Sequence, residues 1–468
     1  MSHEHQPATP CNGSPDTCCQ SVDQHEQAEM NRRSFLRRTF GALLGLSVGG
    51  PILSLMDSPF ATGLSTVQAA ANLSALGDFP EVSPSPLKSV IVLWMNGGAS
   101  QMDTFDPKPG TRNGGPTKGI STAIPNVQIS EFLPRTASIL DRFAVLRSMV
   151  TKEGNHNRAR SLMRTGFTPN PTVEYPGLGA ILNYEQQDPY SKLPQNISIN
   201  QPGERAGILG IPYEPFYVPN AQQKVQNLEL PKNLSEQRLQ RRLHMMQAHD
   251  SEFRAQIGED AYLVDGHHEM FANALELMKA EEKTAFFLDD EPAAVKDAYG
   301  KSRFGQGCLM ARRLVERGVK FVEVSLNGWD THQDNYNKCG ELCSDLDAGL
   351  HALVTDLEQR DLLQSTLVVW MGEFGRTPEI NNNEGRDHYP NGWSVALAGA
   401  HIKGGTVLGE TPANGDRGII GRGIPTADLY RTLLWSAGVK ADTLYYAPNG
   451  RPVTYADEGQ IIREILKG

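Results

Sequence analysis

Three apolar runs, Ser89–Met95, Val319–Leu326 and Ser365–Met371, each break into glycines, acids or amides, and this pattern constrains the fold more than any other feature of the chain. A run that stays apolar, instead of alternating with polar residues, marks a strand buried on both faces, as in a parallel sheet covered by helices. The first run leads into Asn96-Gly97-Gly98, the second into a turn carrying Asp330 and His332, and the third into Gly372-Glu373-Phe374-Gly375-Arg376. Glycines straight after a buried strand let the backbone turn tightly and approach a ligand. Rigid strands then fix side chains, while loops at their C-terminal ends leave room for substrate. Further strands are expected at Ala144–Met149 and Trp393–Ala398, and helices at Leu133–Phe143, Leu178–Tyr184 and Gly340–Leu363. In the last helix Leu342, Leu346, Leu350, Leu353 and Leu357 make one stripe that should pack on the sheet. The expected fold is α/β: a mostly parallel central sheet with helices on both faces.

Residues 234–317 change character to long helical patterns without clear strands, which suggests a helical insertion at about 232–317 standing over the core. Its histidines, including His267 and His268 beside Asp265 and Glu269, suit polar residues on surface helices better than a second metal site.

The chain has 468 residues and a formal net charge of −10, which argues against a general nucleic-acid binder but leaves room for a local anion site. Its 39% hydrophobic and 21% charged residues are ordinary for a well-cored protein. Residues 1–30 are polar. They are followed by Asn31-Arg32-Arg33-Ser34-Phe35-Leu36 and a mild apolar run, Phe40–Met56, with small residues at 69–71. This resembles a twin-arginine signal peptide. It predicts export through the twin-arginine machinery to the periplasm or cell envelope, with no stable membrane span after cleavage. Segments 1–71 (polar N-terminus and signal), 72–86 (linker) and 87–468 (one α/β domain) follow from it. Cys308, Cys339 and Cys343 remain after such cleavage and read as buried free thiols.

Candidate chemistry gathers after the strands. Asp330 and His332 share an irregular turn, Glu373 emerges at a strand end, and Asp387 and His388 follow an Asn-rich loop. Carboxylate with imidazole suits a divalent ion, zinc first, with manganese or calcium as alternatives. His156, Arg158 and Arg160 head a helix and make a candidate anion site; a solvated basic helix face is the other reading. The turn at Asn96 is neither a phosphate loop nor a nucleophile elbow.

These segments also carry a family resemblance. Gly97-Gly98-x-Ser100-Gln101-x-Asp103-Thr-Phe-Asp106-Pro-Lys108-Pro, Trp329-Asp330-Thr-His332, Gly372-Glu373-Phe374-Gly375-Arg376-Thr-Pro and Gly385-Arg386-Asp387-His388 resemble the DUF1501 family, grouped with alkaline phosphatase/sulfatase-like proteins. The resemblance implies an alkaline phosphatase-like architecture and an exported metal-dependent hydrolase of phosphate or sulfate esters, the substrate including sulfated or phosphorylated glycans. It implies Asp330, His332 and His388 as ligands of one ion, with Glu373 and Asp103 or Asp387 adding to that ion or a second. His156 falls at the nucleophile position, where nucleophile, general acid and metal ligand are all open, and Arg160 falls at the arginine. The sequence departs from the pattern at Asn96 and Phe374, where an aspartate and a histidine are usual. A non-catalytic envelope protein that binds anionic glycans is the alternative, and a serine hydrolase using Ser100 or Ser161 is a third.

Overall fold

The computed structural model describes residues 80–467, apart from 230–233, 258–260 and 448–449. The signal, the segment 1–71 and most of the 72–86 linker lie outside the described residues.

Among the described residues one sheet holds nine strands: β1 (Ser89–Asn96), β2 (Phe143–Val150), β3 (Asn196–Ile199), β4 (Phe216–Val218), β5 (Phe321–Asn327), β6 (Thr366–Met371), β7 (Trp393–Gly399), β8 (Thr406–Leu408) and β9 (Ile424–Pro425). Their spatial order is β8-β2-β7-β6-β1-β5-β3-β4, with β9 also paired to β2. Only β7 runs antiparallel, to β6 on one side and β2 on the other; the remaining pairs are parallel. The main helices are α1 (His156–Thr165), α2 (Leu178–Glu185), α3 (Glu236–Ile257), α4 (Ala261–Lys279), α5 (Arg303–Glu316), α6 (Asn335–Gln359) and α7 (Thr426–Ser436).

The central strand explains the apolar runs. Ile91, Leu93 and Met95 of β1 enter a core shared with α5 and α6, while Val90, Val92 and Trp94 enter a second core shared with α1, α2 and α7. Both faces are dry, so alternation has no polar side to record. The fold is thus the expected mostly parallel sheet with helices on both faces. The α6 stripe is buried at Leu346, Leu350, Leu353 and Leu357, and the three cysteines are free and buried.

Local differences have local causes. The helix expected at Leu133–Phe143 breaks into Pro134–Ser138 and a 3-10 turn Leu140–Arg142, because Ile139 leaves helical geometry (φ −121, ψ 16). β3, β4, β8 and β9 have four residues or fewer, too short for a readable pattern. Within the helical block α5 is a core helix, buried from Phe304 to Val315 except at Arg313. α3 and α4 are different: Leu239 and Leu277 are buried, but Met245, Met270 and Phe271 face solvent. There His268 pairs with Asp250, and His244, His249 and His267 are exposed. No helix among the described residues is long and apolar enough to cross a membrane.

Candidate metal centre

β1, β5 and β6 end side by side, with Asn96 opposite Asn327 and Trp94 opposite Met371. After β1 the chain turns through Gly97 (φ 115) and Gly98 (φ 82). A Cβ on Gly97 would stand 2.4 Å from the Asp330 nitrogen, and one on Gly98 2.7 Å from the Phe374 carbonyl oxygen. The loops that follow the three strands touch because these positions lack side chains.

Four groups converge there on one oxygen. Asp330 Oδ1 lies 2.6 Å from Arg376 Nη2, 3.1 Å from His332 Nε2, and 3.3 Å from Nε2 of both His156 and His388. The Nε2 atoms of His332 and His388 are 3.0 Å apart. Each ring is aimed through its other nitrogen. His156 Nδ1 is 2.9 Å from Glu373 Oε1, His332 Nδ1 is 2.8 Å from Asp387 Oδ1, and His388 Nδ1 is 2.8 Å from the Gly154 carbonyl. Phe374 is buried and packs against the rings of His156 and His388, 5.0 and 4.7 Å between centroids.

A carbonyl only accepts, so His388 Nδ1 carries the proton and its neutral ring presents a lone pair at Nε2. Carboxylate acceptors at Nδ1 set the same tautomer for His156 and His332. Bare lone pairs 3.0 Å apart repel, so the arrangement calls for a cation or a proton between them. His156 Nε2 is buried with no hydrogen bond of its own. Around an ion bound at 2.0–2.2 Å, tetrahedral ligand atoms stand about 3.3–3.6 Å apart. Four of the six donor separations, 3.0–3.3 Å, are close to that spacing. His156, His388 and Asp330, the tight group, could therefore hold one divalent ion, with His332 a further donor through its contacts with Asp330 and His388, and carboxylate or carbonyl partners behind imidazole ligands are the usual outer support of such sites.

The electrostatics keep the donors ready. Partial burial works against the Asp330 charge, but Arg376, then His156 and His332, outweigh it and hold its pKa at about 2. Burial lowers His388, and Arg376 and His156 push the same way against the bond to Gly154. The His332 contact holds Asp387 below the usual carboxylate range.

The expected site residues therefore divide. Asp330, His332 and His388 come together, and His156 joins them as a fourth donor instead of standing apart as an anion contact. Glu373 and Asp387 sit behind imidazoles, each reaching an Nδ1. Asp103 is elsewhere: it is buried and takes contacts from Ser100, Thr117, Asn335 and Arg386. Arg158 is turned to Glu153 (2.7 Å), and Arg160 acts on Glu204 and Glu323, so neither contacts the four donors among the described residues. Ser100 is buried against Asp103 and Ser161 lies beside Glu204; neither hydroxyl is bonded to an imidazole among the described residues. Arg376 was missed, although it lies inside the quoted Gly-Arg376-Thr motif, because a basic residue beside a metal site has no signature of its own.

The family model DUF1501, described as a protein of unknown function, matches residues 87–466. The chain belongs to the DUF1501 family. No curated protein matches this DUF1501 sequence. Among solved structures it is similar to Ps i-CgsB (13% identity, 76% of this chain and 73% of that one, TM-score 0.37). It is also similar to the PsFucS1 sulfatase from Pseudoalteromonas sp. (14%, 80% and 70%, 0.33) and to alkaline phosphatase from the Antarctic bacterium TAB5 (10%, 75% and 98%, 0.34). With TM-scores below 0.5, these likenesses decide nothing about activity, substrate or metal.

Proposed function

We propose that this DUF1501 protein is an exported, metal-dependent hydrolase of phosphate or sulfate esters, working outside the cytoplasm after twin-arginine transport. One observation carries the reading: three imidazole Nε2 atoms and Asp330 Oδ1 converge, with every Nδ1 already committed to an acceptor. Three imidazoles and one carboxylate suit zinc better than calcium, which prefers oxygen, and manganese lies between. A bound ion of this kind supplies an activated water and a positive charge for the anion that develops in ester hydrolysis. The chain's own part is to hold the donors: Glu373, Asp387 and Gly154 fix the ring planes and tautomers. Side chains at the centre are 24–49% exposed for His156, His332, His388 and Asp330, which leaves a solvent-facing side for substrate.

One observation favours a second reading, a non-catalytic envelope protein that binds sulfated or phosphorylated glycans. Asn96 is bonded to Asn327 and Phe374 is buried against His156 and His388, so neither position brings the carboxylate or imidazole usual there. Purified protein assayed on aryl phosphate, phosphodiester and aryl sulfate substrates with added zinc, manganese or calcium separates the two. Metal-dependent turnover lost in His332→Ala supports the hydrolase; a metal-loaded protein inert on all three classes supports the binder.

A further inference from the structure

We infer that Arg376 is the positioning residue of a single-ion centre, its guanidinium supplying the fixed positive charge that a second ion would otherwise bring; this rests on the metal reading above. Arg376 is fully buried, so it cannot touch a substrate. Its Nε donates to the Gly98 carbonyl (3.0 Å), Nη1 to the Arg386 carbonyl (3.2 Å), and Nη2 to the Gly97 carbonyl and to Asp330 Oδ1 (2.6 Å). One planar fork thus ties the turn after β1, the Asp330 loop and the segment leading into His388. Its own segment, Gly375–Arg376, pairs with His388–Tyr389, with His388 directly opposite Arg376. The same group that fixes Asp330 Oδ1 in space also aligns the backbone of a second donor.

The donor inventory agrees with a single ion. Glu373 Oε1 is taken by the Gly97 amide and His156, and Asp387 Oδ1 by His332 and Asn381. Asp103 is consumed by its own buried network. Glu373 Oε2 is buried without a partner, but one oxygen is not a coordination sphere. Among the described residues only His156, Asp330 and His388 form a group of donors tight enough for an ion, and His332 joins it through its contacts with two of them.

The test uses the full chain, stripped with chelator and titrated with zinc, reading ion count by native mass spectrometry and affinity by competition with a chelating dye. Wild type is expected to take one ion. Arg376→Gln, with its fold checked by thermal unfolding in EDTA, should bind about tenfold to a hundredfold more weakly. Arg376→Lys, which keeps the charge, should recover part of that loss. Because Arg376 acts through Asp330, adding Arg376→Gln to Asp330→Asn should cost little beyond Asp330→Asn alone. Should Arg376→Gln not fold, Arg376→Lys takes its place in the same cycle and should likewise cost less on the Asp330→Asn background. Two ions in wild type, unchanged affinity in Arg376→Gln, or losses that simply add overturn the inference and leave the metal reading standing. Wild type that takes no ion overturns the metal reading itself.

Discussion

The buried carboxylate of Glu373 lies 2.9 Å from Nδ1 of His156, and the same oxygen accepts the Gly97 amide. Glu373 follows the third apolar run and His156 heads a helix, so this contact joins the sheet rim to α1. It fixes which nitrogen of His156 faces the other donors.

Glu373→Gln replaces a pure acceptor with a group that can present N–H to an N–H. Metal affinity should fall about tenfold to a hundredfold. Stability should drop by about 1–3 kcal/mol through a buried polar mismatch. Dye competition and thermal unfolding in chelator measure the two separately.

Asp387 and Asp103 give opposite outcomes. Asp387 is 57% exposed and touches His332, so Asp387→Ala should weaken zinc binding about tenfold while stability changes by no more than ~0.5 kcal/mol. Asp103 pairs with buried Arg386 at 2.9 Å, and breaking such a pair costs about 3–5 kcal/mol. Asp103→Asn should therefore lower the denaturation midpoint clearly, yet leave the zinc affinity of the protein that remains folded near wild type.

Gly97→Ala tests the close approach of the loops. A methyl group at φ 115, 2.4 Å from the Asp330 nitrogen, must push the Asp330 loop away. The expected result is a loss of roughly 2 kcal/mol or more in stability together with loss of bound metal. An alanine variant that keeps both would mean the loops do not pack as described.

Acidification should release the metal through histidine before aspartate. The folded-state pKa of His388 lies below its ordinary 6.5, so its neutral form contributes stability fully above pH 6.5 and loses it as pH falls through the lower folded value. Asp330, held at about 2, contributes above the ordinary carboxylate range and keeps its charge down to strongly acid pH. Zinc affinity should hold steady from pH 8 to about 7 and fall in the mildly acidic range. His388→Gln should flatten part of that fall, as read by dye competition at each pH.

The sequence made the rim legible because long strands buried on both faces cannot hide: β1, β5 and β6 lie within two residues of their expected bounds. Asp330, His332 and His388 could be read as a set because acids and histidines after such strands have few other reasons to cluster. The division between donor and support could not be read. Glu373 and Asp387 are carboxylates like Asp330, and only the three-dimensional course of α1 shows that His156 takes the inner place. Asp103 looked equivalent for the same reason, but its network with Arg386 depends on contacts across more than 280 residues. Arg376 acts through backbone carbonyls, which leave no mark in a sequence.

We propose that His156, His332, His388 and Asp330 hold a divalent ion. Elemental analysis of the protein purified without chelator, alongside His156→Ala, decides whether they do. About one divalent ion per chain is expected in wild type, with its loss in the variant and the fold retained. Wild type free of metal, or a His156→Ala protein that keeps its ion, would contradict it.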